Sequence, residues 1–296
     1  MMSNTRNQNT LRLVFPQWQG GNNPPYFFGA QLLNWLAPAT EGDVEHVDVA
    51  EPTDIPLENE DGILARTALI EQLKDARSRI DAHQPERIVV LGGDCLVDLA
   101  PFAYLNERYD GDLAVLWVDA HPDIMTPQQF TNAHAMVLGN LLGRGDSQFL
   151  QHVKQPLKPE NVCYLGVNKA SEWENEQMES LGLRNISPEQ LVAEGSEPIL
   201  KWFKSTGAKH LAIHLDLDVL DPDLFRSLLF ANVDDDPAVF DGVAKGKLSM
   251  GQVIDALSDL SQESDVVGIG IAEHLPWDAL ALKKMLEKLP LIGGSR

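Results

Sequence analysis

The sequence predicts an α/β fold in which a parallel sheet lies between layers of helices. Three observations predict it. Short runs rich in Val, Ile and Leu recur along the chain, helix-length amphipathic stretches separate them, and the alternation persists from end to end. Residues 11–15 (LRLVF) form the first run and 47–50 a weaker second; 87–91 (RIVVL), 113–118 (LAVLWV), 162–166, 211–215 and 266–271 follow. Continuous apolar runs of this length suit strands covered on both faces. Between them, residues 61–83 place Leu69, Ile70, Leu73, Ala76 and Ile80 on one helical stripe, with Glu71, Lys74 and Arg77 elsewhere. Residues 248–261 read as another helix, with Ser249 as its N-cap and Val253, Ile254 and Leu257 facing inward. There is no internal repeat and no compositional shift, so the expectation is a polar N-terminal tail (1–10) followed by a single domain (11–296). The least regular stretch, 227–246, carries Asp234, Asp235 and Asp236 and reads as a long, solvated excursion after a strand.

The chain has 296 residues, with 44 acidic against 23 basic side chains, a formal net charge of −21 and a pI near 4.6. Nucleic-acid binding by counterion release needs clustered Lys and Arg, and an anionic membrane repels such a chain; both partners are excluded as expectations. A hydrophobic fraction of 44% with 23% charged residues is that of an ordinary globular protein. Cys95 and Cys163 are too few for a disulfide framework, and Cys163, inside an apolar run, reads as a core thiol. The opening MMSNTRNQNT has no apolar core and no run of 18 apolar residues exists, so the expected location is the cytoplasm.

In open parallel sheets, ligands bind beyond the carboxyl ends of the strands. The third run exits into Gly92-Gly93-Asp94-Cys95 and the fourth into Asp119-Ala120-His121-Pro122-Asp123. The run at 211–215 exits into Asp216-Leu217-Asp218 and then Asp221-Pro222, and the last run reaches Glu273. Residues two apart in extended chain share a side, so Asp119, His121 and Asp123 can converge, as can Asp216 and Asp218. Carboxylates crowded in this way repel unless cations neutralise them. A lone Asp-x-Asp is usually a turn or a helix cap; both patterns together, each directly after a buried strand, point to a metal site. Oxygen-rich ligands with an imidazole suit Mn²⁺, and two such ions would hold a bridging hydroxide as nucleophile. Two divalent cations add four positive charges and take −21 only to −17, so most of the acidic excess is surface charge.

These motifs resemble those of the ureohydrolase superfamily, which includes arginase, agmatinase and formiminoglutamase. The matching elements are GGDC at 92–95, DAHPD at 119–123, His134, DLDVLDP at 216–222, and Glu273 in the segment EHLP. The resemblance implies a three-layer α/β/α fold with a central, mainly parallel, eight-stranded sheet. It also implies a binuclear manganese centre, hydrolysis of a guanidino or amidine carbon–nitrogen bond in a small cationic substrate, and assembly into homo-trimers or hexamers. Carried over by position, Asp119 and Asp216 resemble carboxylates that bridge both metals. Asp123 resembles a ligand that also orients the hydroxide, and His121 and Asp218 resemble ligands of the other metal. Glu273 resembles the acid that pairs with the guanidinium, and His134 the histidine that carries protons to the leaving amine. Read without the family, His134 is equally a solvent-facing histidine near a helix cap.

The departures fall in two places. The family's first metal ligand is a histidine after GGD, and here it is Cys95, a softer ligand that fits Mn²⁺ poorly. Cys95 then binds a softer ion such as Zn²⁺, or leaves one metal dominant, or marks a degenerate site, or is simply a buried small residue. On the substrate side, Met125 stands where arginases carry an asparagine, Ser171 where they carry an acid for the α-amino group, and His214 where a serine precedes the Asp pair. L-Arginine is therefore not the expected substrate. Two alternatives stay open: a non-catalytic family member that binds a metabolite or partner, and a one-metal amide hydrolase resembling the deacetylases.

Overall fold

The computed structural model describes residues 9–232, 234–235, 237–289 and 291–292. The predicted tail lies almost wholly outside the described residues, as does Asp236 of the acidic run. The strands are β1 (Thr10–Phe15), β2 (Asp43–His46), β3 (Asn59–Glu60), β4 (Ile63–Leu64), β5 (Arg87–Gly92), β6 (Leu113–Val118), β7 (Val162–Leu165), β8 (Arg184–Ile186), β9 (His210–Asp216) and β10 (Asp265–Ala272). Eight of them form one sheet in the order β2-β1-β5-β10-β9-β6-β7-β8, every pair parallel. The short pair β3–β4 is separate and antiparallel.

The sheet is buried on both faces because its central strands are largely apolar on both sides. In β6 the alternation of side chains sends Leu113, Val115 and Trp117 into one core and Ala114, Leu116 and Val118 into another. The first core is closed by the helices Arg66–His83 (Leu69, Leu73, Ala76, Ile80) and Leu99–Arg108 (Phe102, Leu105). The second is closed by Glu197–Thr206 (Ile199, Trp202, Phe203) and Met250–Glu263 (Val253, Ala256, Leu260). This is the three-layer α/β/α architecture with an eight-stranded parallel sheet.

Three expectations need correction. Ile254, expected to face inward, is exposed, while Val253, Ala256 and Leu260 are the buried residues of the helix Met250–Glu263. The second strand is not 47–50 but Asp43–His46, a polar edge strand whose register with Leu11–Val14 ends just before Val47. Val47 adds one more hydrogen bond, its amide donating to Val14 O, and then turns into the core. The helix read over 61–83 begins only at Arg66, because Asp61 (φ 53°) and Gly62 turn the chain back so that Ile63 and Leu64 pair as β4. Strand β8 has no counterpart among the predicted runs, since its three residues (RNI) carry no apolar stretch.

Ser249 does cap the helix Met250–Glu263. Its hydroxyl accepts from Gln252 N (3.3 Å), and Gln252 Oε1 accepts from Ser249 N (2.7 Å), a reciprocal capping box. Ser249→Ala is expected to destabilise the fold by about 1 kcal/mol, read as a lower urea midpoint; an unchanged midpoint would mean that this helix is held by packing alone.

Candidate metal centre

Strands β5, β10, β9 and β6 are consecutive neighbours in the sheet, and all four point the same way. Their C-terminal exits therefore deliver Cys95, Glu273, Asp216 and Asp119 to one edge. Each exit is fastened locally. Asp94 accepts from the amides of Leu96 and Gly21 (both 3.1 Å), holding the Cys95 turn. Glu273 N donates to Gly93 O at 2.7 Å, tying the end of β10 to the end of β5. On its other side, the segment after β1 approaches so closely at Gly93 that a Cβ there would meet Gln17 O at 1.8 Å. Asp119 N donates to Leu165 O, and the Asp119 carboxylate accepts from His121 N (2.7 Å) and Trp117 Nε1 (3.1 Å). Asp216 accepts from Asp218 N at 2.6 Å.

Two non-glycine residues at these exits sit in the left-handed backbone region, Asp123 (φ 52°) and Glu273 (φ 64°). Such a conformation costs on the order of 1–3 kcal/mol and concentrates where a side chain must be aimed.

The residues named from the sequence as metal ligands or catalytic groups come together. Ligand-type atoms of Asp119, His121 and Asp218 lie within 4.8 Å of one another, and so do those of Cys95, Asp216 and Glu273. A third group unites Cys95, Asp119 and Asp123 with His214. His121 Nδ1 is 3.0 Å from Asp218 Oδ2 and 3.6 Å from Asp119 Oδ1. Cys95 Sγ is 3.0 Å from Asp216 Oδ2 and 3.7 Å from Glu273 Oε1. His134 Nε2 stands 4.0 Å from Glu273 Oε1, while its Nδ1 is 2.9 Å from Gly20 O. The His134 ring is part-buried against the site, not turned out to solvent.

The electrostatics are those of anions crowded out of water. Burial, reinforced by Asp218 and Asp119, pushes the Glu273 carboxyl up to about 8. Burial also raises Asp216, Asp123 and Asp119, with neighbouring carboxylates adding to the rise. Burial, then Asp216 and Glu273, raise the Cys95 thiol. Desolvation works the same way on Asp218, but the His121 imidazole overrides it and holds Asp218 below the usual carboxylate range. His134, pushed down to about 4 by desolvation, is neutral at pH 7. With its Nδ1 proton donated to Gly20 O, its Nε2 lone pair faces the site.

Several of these groups fit a divalent cation better than they fit each other. Asp123 Oδ2 and His214 Nε2 are buried with no hydrogen-bond partner, both in the group that shares Cys95 and Asp119. Cations there would satisfy those atoms and neutralise the carboxylates. A carboxyl whose folded pKa lies above its unfolded value contributes stability while protonated and loses that contribution as pH rises through the folded pKa. For Glu273 the window runs from about 4.5 to about 8. The metal-free protein is therefore expected to lose thermal stability steadily across that window, and divalent metal is expected to restore most of it. A flat melting profile in chelator over the same pH range would contradict the assignment.

Two residues contribute that sequence reasoning did not assign to the site, Tyr26 and Asp98, and a third, His214, was read only as a departure on the substrate side. Tyr26, from the helix Pro25–Leu36, hydrogen-bonds the Glu273 carboxylate. Asp98, just past Cys95, and His214, within β9, form a wholly buried pair at 2.7 Å. A histidine inside an otherwise apolar strand was the available signal. On the substrate side, Met125 packs against the first core, and Ser171 caps the helix Glu172–Leu181, its hydroxyl accepting from Glu174 N. Cys163 is a buried core thiol, and both cysteines are free.

The molecule is an eight-stranded α/β/α sheet with Asp-x-His-x-Asp and Asp-x-Asp at adjacent strand exits. The Arginase family model matches residues 29–278, and the chain belongs to the arginase family. An arginase of Staphylococcus aureus (strain MRSA252) is 27% identical over 140 residues, covering 45% of this chain and 46% of that protein; the chain aligns with about half the length of such curated relatives. Among solved structures, the Bacillus caldovelox arginase superposes with a TM-score of 0.76 at 19% identity, covering 98% of this chain and 99% of that one. The Entamoeba histolytica arginase gives 0.76 at 18% identity, covering 91% of each. At these identities the likeness establishes the fold.

Proposed function

We propose that this protein is a metal-dependent hydrolase that cleaves a guanidino or amidine carbon–nitrogen bond and releases urea when the substrate is a guanidine. The observation that carries the reading is the position of Glu273, an acid between the carboxylate–thiol cluster (3.7 Å from Cys95 Sγ) and the neutral imidazole of His134 (4.0 Å). Divalent cations held by Asp119, His121, Asp123, Asp216 and Asp218, with Cys95, would supply a hydroxide nucleophile at neutral pH. Mn²⁺ is the ion expected of the oxygen ligands.

The protein's own groups do the rest. Glu273 binds the cationic end of the substrate; a guanidinium replaces the proton that the carboxyl otherwise retains. Tyr26 interacts with the Glu273 carboxyl and favours its ionised form. As the planar carbon becomes tetrahedral, the hydroxyl added to it gives up its proton and the departing nitrogen gains one; His134 Nε2, whose lone pair faces the site, accepts the first and delivers it to the nitrogen. Asp123, with one oxygen free of protein partners, orients the nucleophile. Met125 and Ser171 are engaged in packing and capping and offer no amide or acid to an amino-acid end, which is why L-arginine is not the expected substrate. The small cationic substrate, the homo-oligomer of trimer or hexamer type and the cytoplasmic location belong to the same reading; no helix among the described residues is long and apolar enough to cross a membrane.

The test is urea release from a panel of guanidino amines and guanidino acids with Mn²⁺, Zn²⁺ or Ni²⁺ added to the dialysed protein. Turnover of at least one member, abolished by chelator, is the expected result. No turnover with any combination would favour the non-catalytic alternative that Cys95 raises.

A further inference from the structure

We propose that His214 and Cys95 ligate the same metal ion, together with Asp119 and Asp123, and that this nitrogen–sulfur–oxygen set makes one half of the centre prefer a borderline ion of the Zn²⁺ type over Mn²⁺. The inference rests on the reading of the cluster as a metal centre but not on the reaction proposed for it.

His214 is fully buried in β9, in a strand whose other central residues are apolar. Its Nδ1 is 2.7 Å from Asp98 Oδ2, so the ring proton sits on Nδ1 and the Nε2 lone pair points the other way. That Nε2 has no hydrogen-bond partner; Asp119 Oδ2, at 3.7 Å, is beyond hydrogen-bonding reach. A ring nitrogen of His214, Cys95 Sγ and carboxylate oxygens of Asp119 and Asp123 all lie within 4.8 Å of one another, and Nδ1 is already taken by Asp98. Asp123 Oδ2 is likewise unpartnered. Two buried lone pairs without donors and one thiol thus share a single small volume.

The surroundings build this arrangement. The Trp117 ring stacks on His214, centroids 3.8 Å apart and planes 14° from parallel, and its Nε1 donates to Asp119 Oδ2. One residue therefore orients both the imidazole and a shared carboxylate. Gly270 of β10 leaves room for Asp98: a Cβ there would meet the Asp98 carboxylate at 2.0 Å. A carboxylate that accepts from the far side of the imidazole fixes the tautomer and raises the basicity of a metal-ligating histidine. Burying Asp98 and His214 together costs solvation that their mutual bond offsets only in part, and a cation on Nε2 supplies the missing partner. Thiolate and imidazole with two carboxylates form a four-ligand set suited to Zn²⁺, whereas the group of Asp119, His121 and Asp218 remains oxygen-rich and suited to Mn²⁺.

The experiment uses the full chain, freed of metal and loaded with one equivalent of Zn²⁺, examined by zinc X-ray absorption. The expected shell contains sulfur at about 2.3 Å and imidazole nitrogen at about 2.0 Å. In His214→Gln the imidazole contribution is lost and Zn²⁺ affinity, read by competition with a chelating dye, falls about 100-fold or more, with Asp98→Asn losing about 10–100-fold. A shell without sulfur, or a folded His214→Gln protein that binds Zn²⁺ as tightly as the original, overturns the proposal. If His214→Gln does not fold, the spectrum of the unaltered protein still decides, since sulfur without imidazole also overturns it. Urea release is not read here, so zinc held through sulfur and nitrogen by a protein that hydrolyses no guanidine would uphold this inference while ending the proposed reaction.

Discussion

Asp216→Asn is expected to move metal binding and metal-free stability in opposite directions. In the cation-free protein Asp216 is buried and repelled by Asp218, Glu273 and Asp119, which is why its carboxyl resists ionisation. The amide removes that repulsion and keeps an oxygen for the Asp218 amide, now 2.6 Å from Asp216 Oδ1. The metal-free Asp216→Asn protein should therefore melt higher than the unaltered chain near pH 8, by about 2–4 °C for each kcal/mol of repulsion relieved. The same change removes a proposed ligand, so the stabilisation gained on adding divalent metal should shrink and turnover should fall about 10³-fold or more, on the scale of losing the dominant electrostatic contribution to catalysis. Parallel melting curves with and without metal check both signs. A variant that loses stability in both conditions would show that Asp216 is a structural carboxylate.

Glu273→Gln is the second large effect. The substitution keeps size and the hydrogen bond to Tyr26 but removes the charge that faces a guanidinium. Turnover is expected to fall about 10²–10³-fold in kcat/KM, with metal content unchanged, because the carboxylates at the exits of β6 and β9 remain. The melting profile of the metal-free variant should also become shallower between pH 4.5 and 8, since one of the buried carboxyls that titrate above their usual range is gone. Kinetics on whichever guanidine is turned over, paired with elemental analysis of the same sample, separates the two roles. Unchanged kcat/KM would remove Glu273 from the substrate site.

Much of this site was legible because its parts are sequential. Asp119, His121 and Asp123 occupy one strand exit and Asp216 and Asp218 another, and the strands before them are apolar on both faces, so their positions follow from the chain alone. What was not legible depends on adjacency between distant strands. Asp98 follows β5 and His214 lies in β9; only the insertion of β10 between those strands, with a glycine at position 270, lets the two side chains meet. Tyr26 reaches Glu273 across an even longer separation. The edges of the sheet were poorly read for a different reason: β2 (DVEH) and β8 (RNI) are short and polar because an edge strand has less to bury. The departures at Met125, Ser171 and Cys95 could be seen in the sequence, but their meaning could not. Packing claims the first and capping the second, and Cys95 shares its volume with an imidazole from another strand.

The buried carboxylates, imidazoles and thiol at the ends of β5, β6, β9 and β10 are proposed as a centre for divalent metal. Elemental analysis after metal loading and exhaustive dialysis tests it most directly. The predicted result is two divalent ions retained per chain, with substantial loss in Asp216→Asn. Protein that retains no more than trace metal, and whose melting temperature does not respond to Mn²⁺ or Zn²⁺, would contradict it.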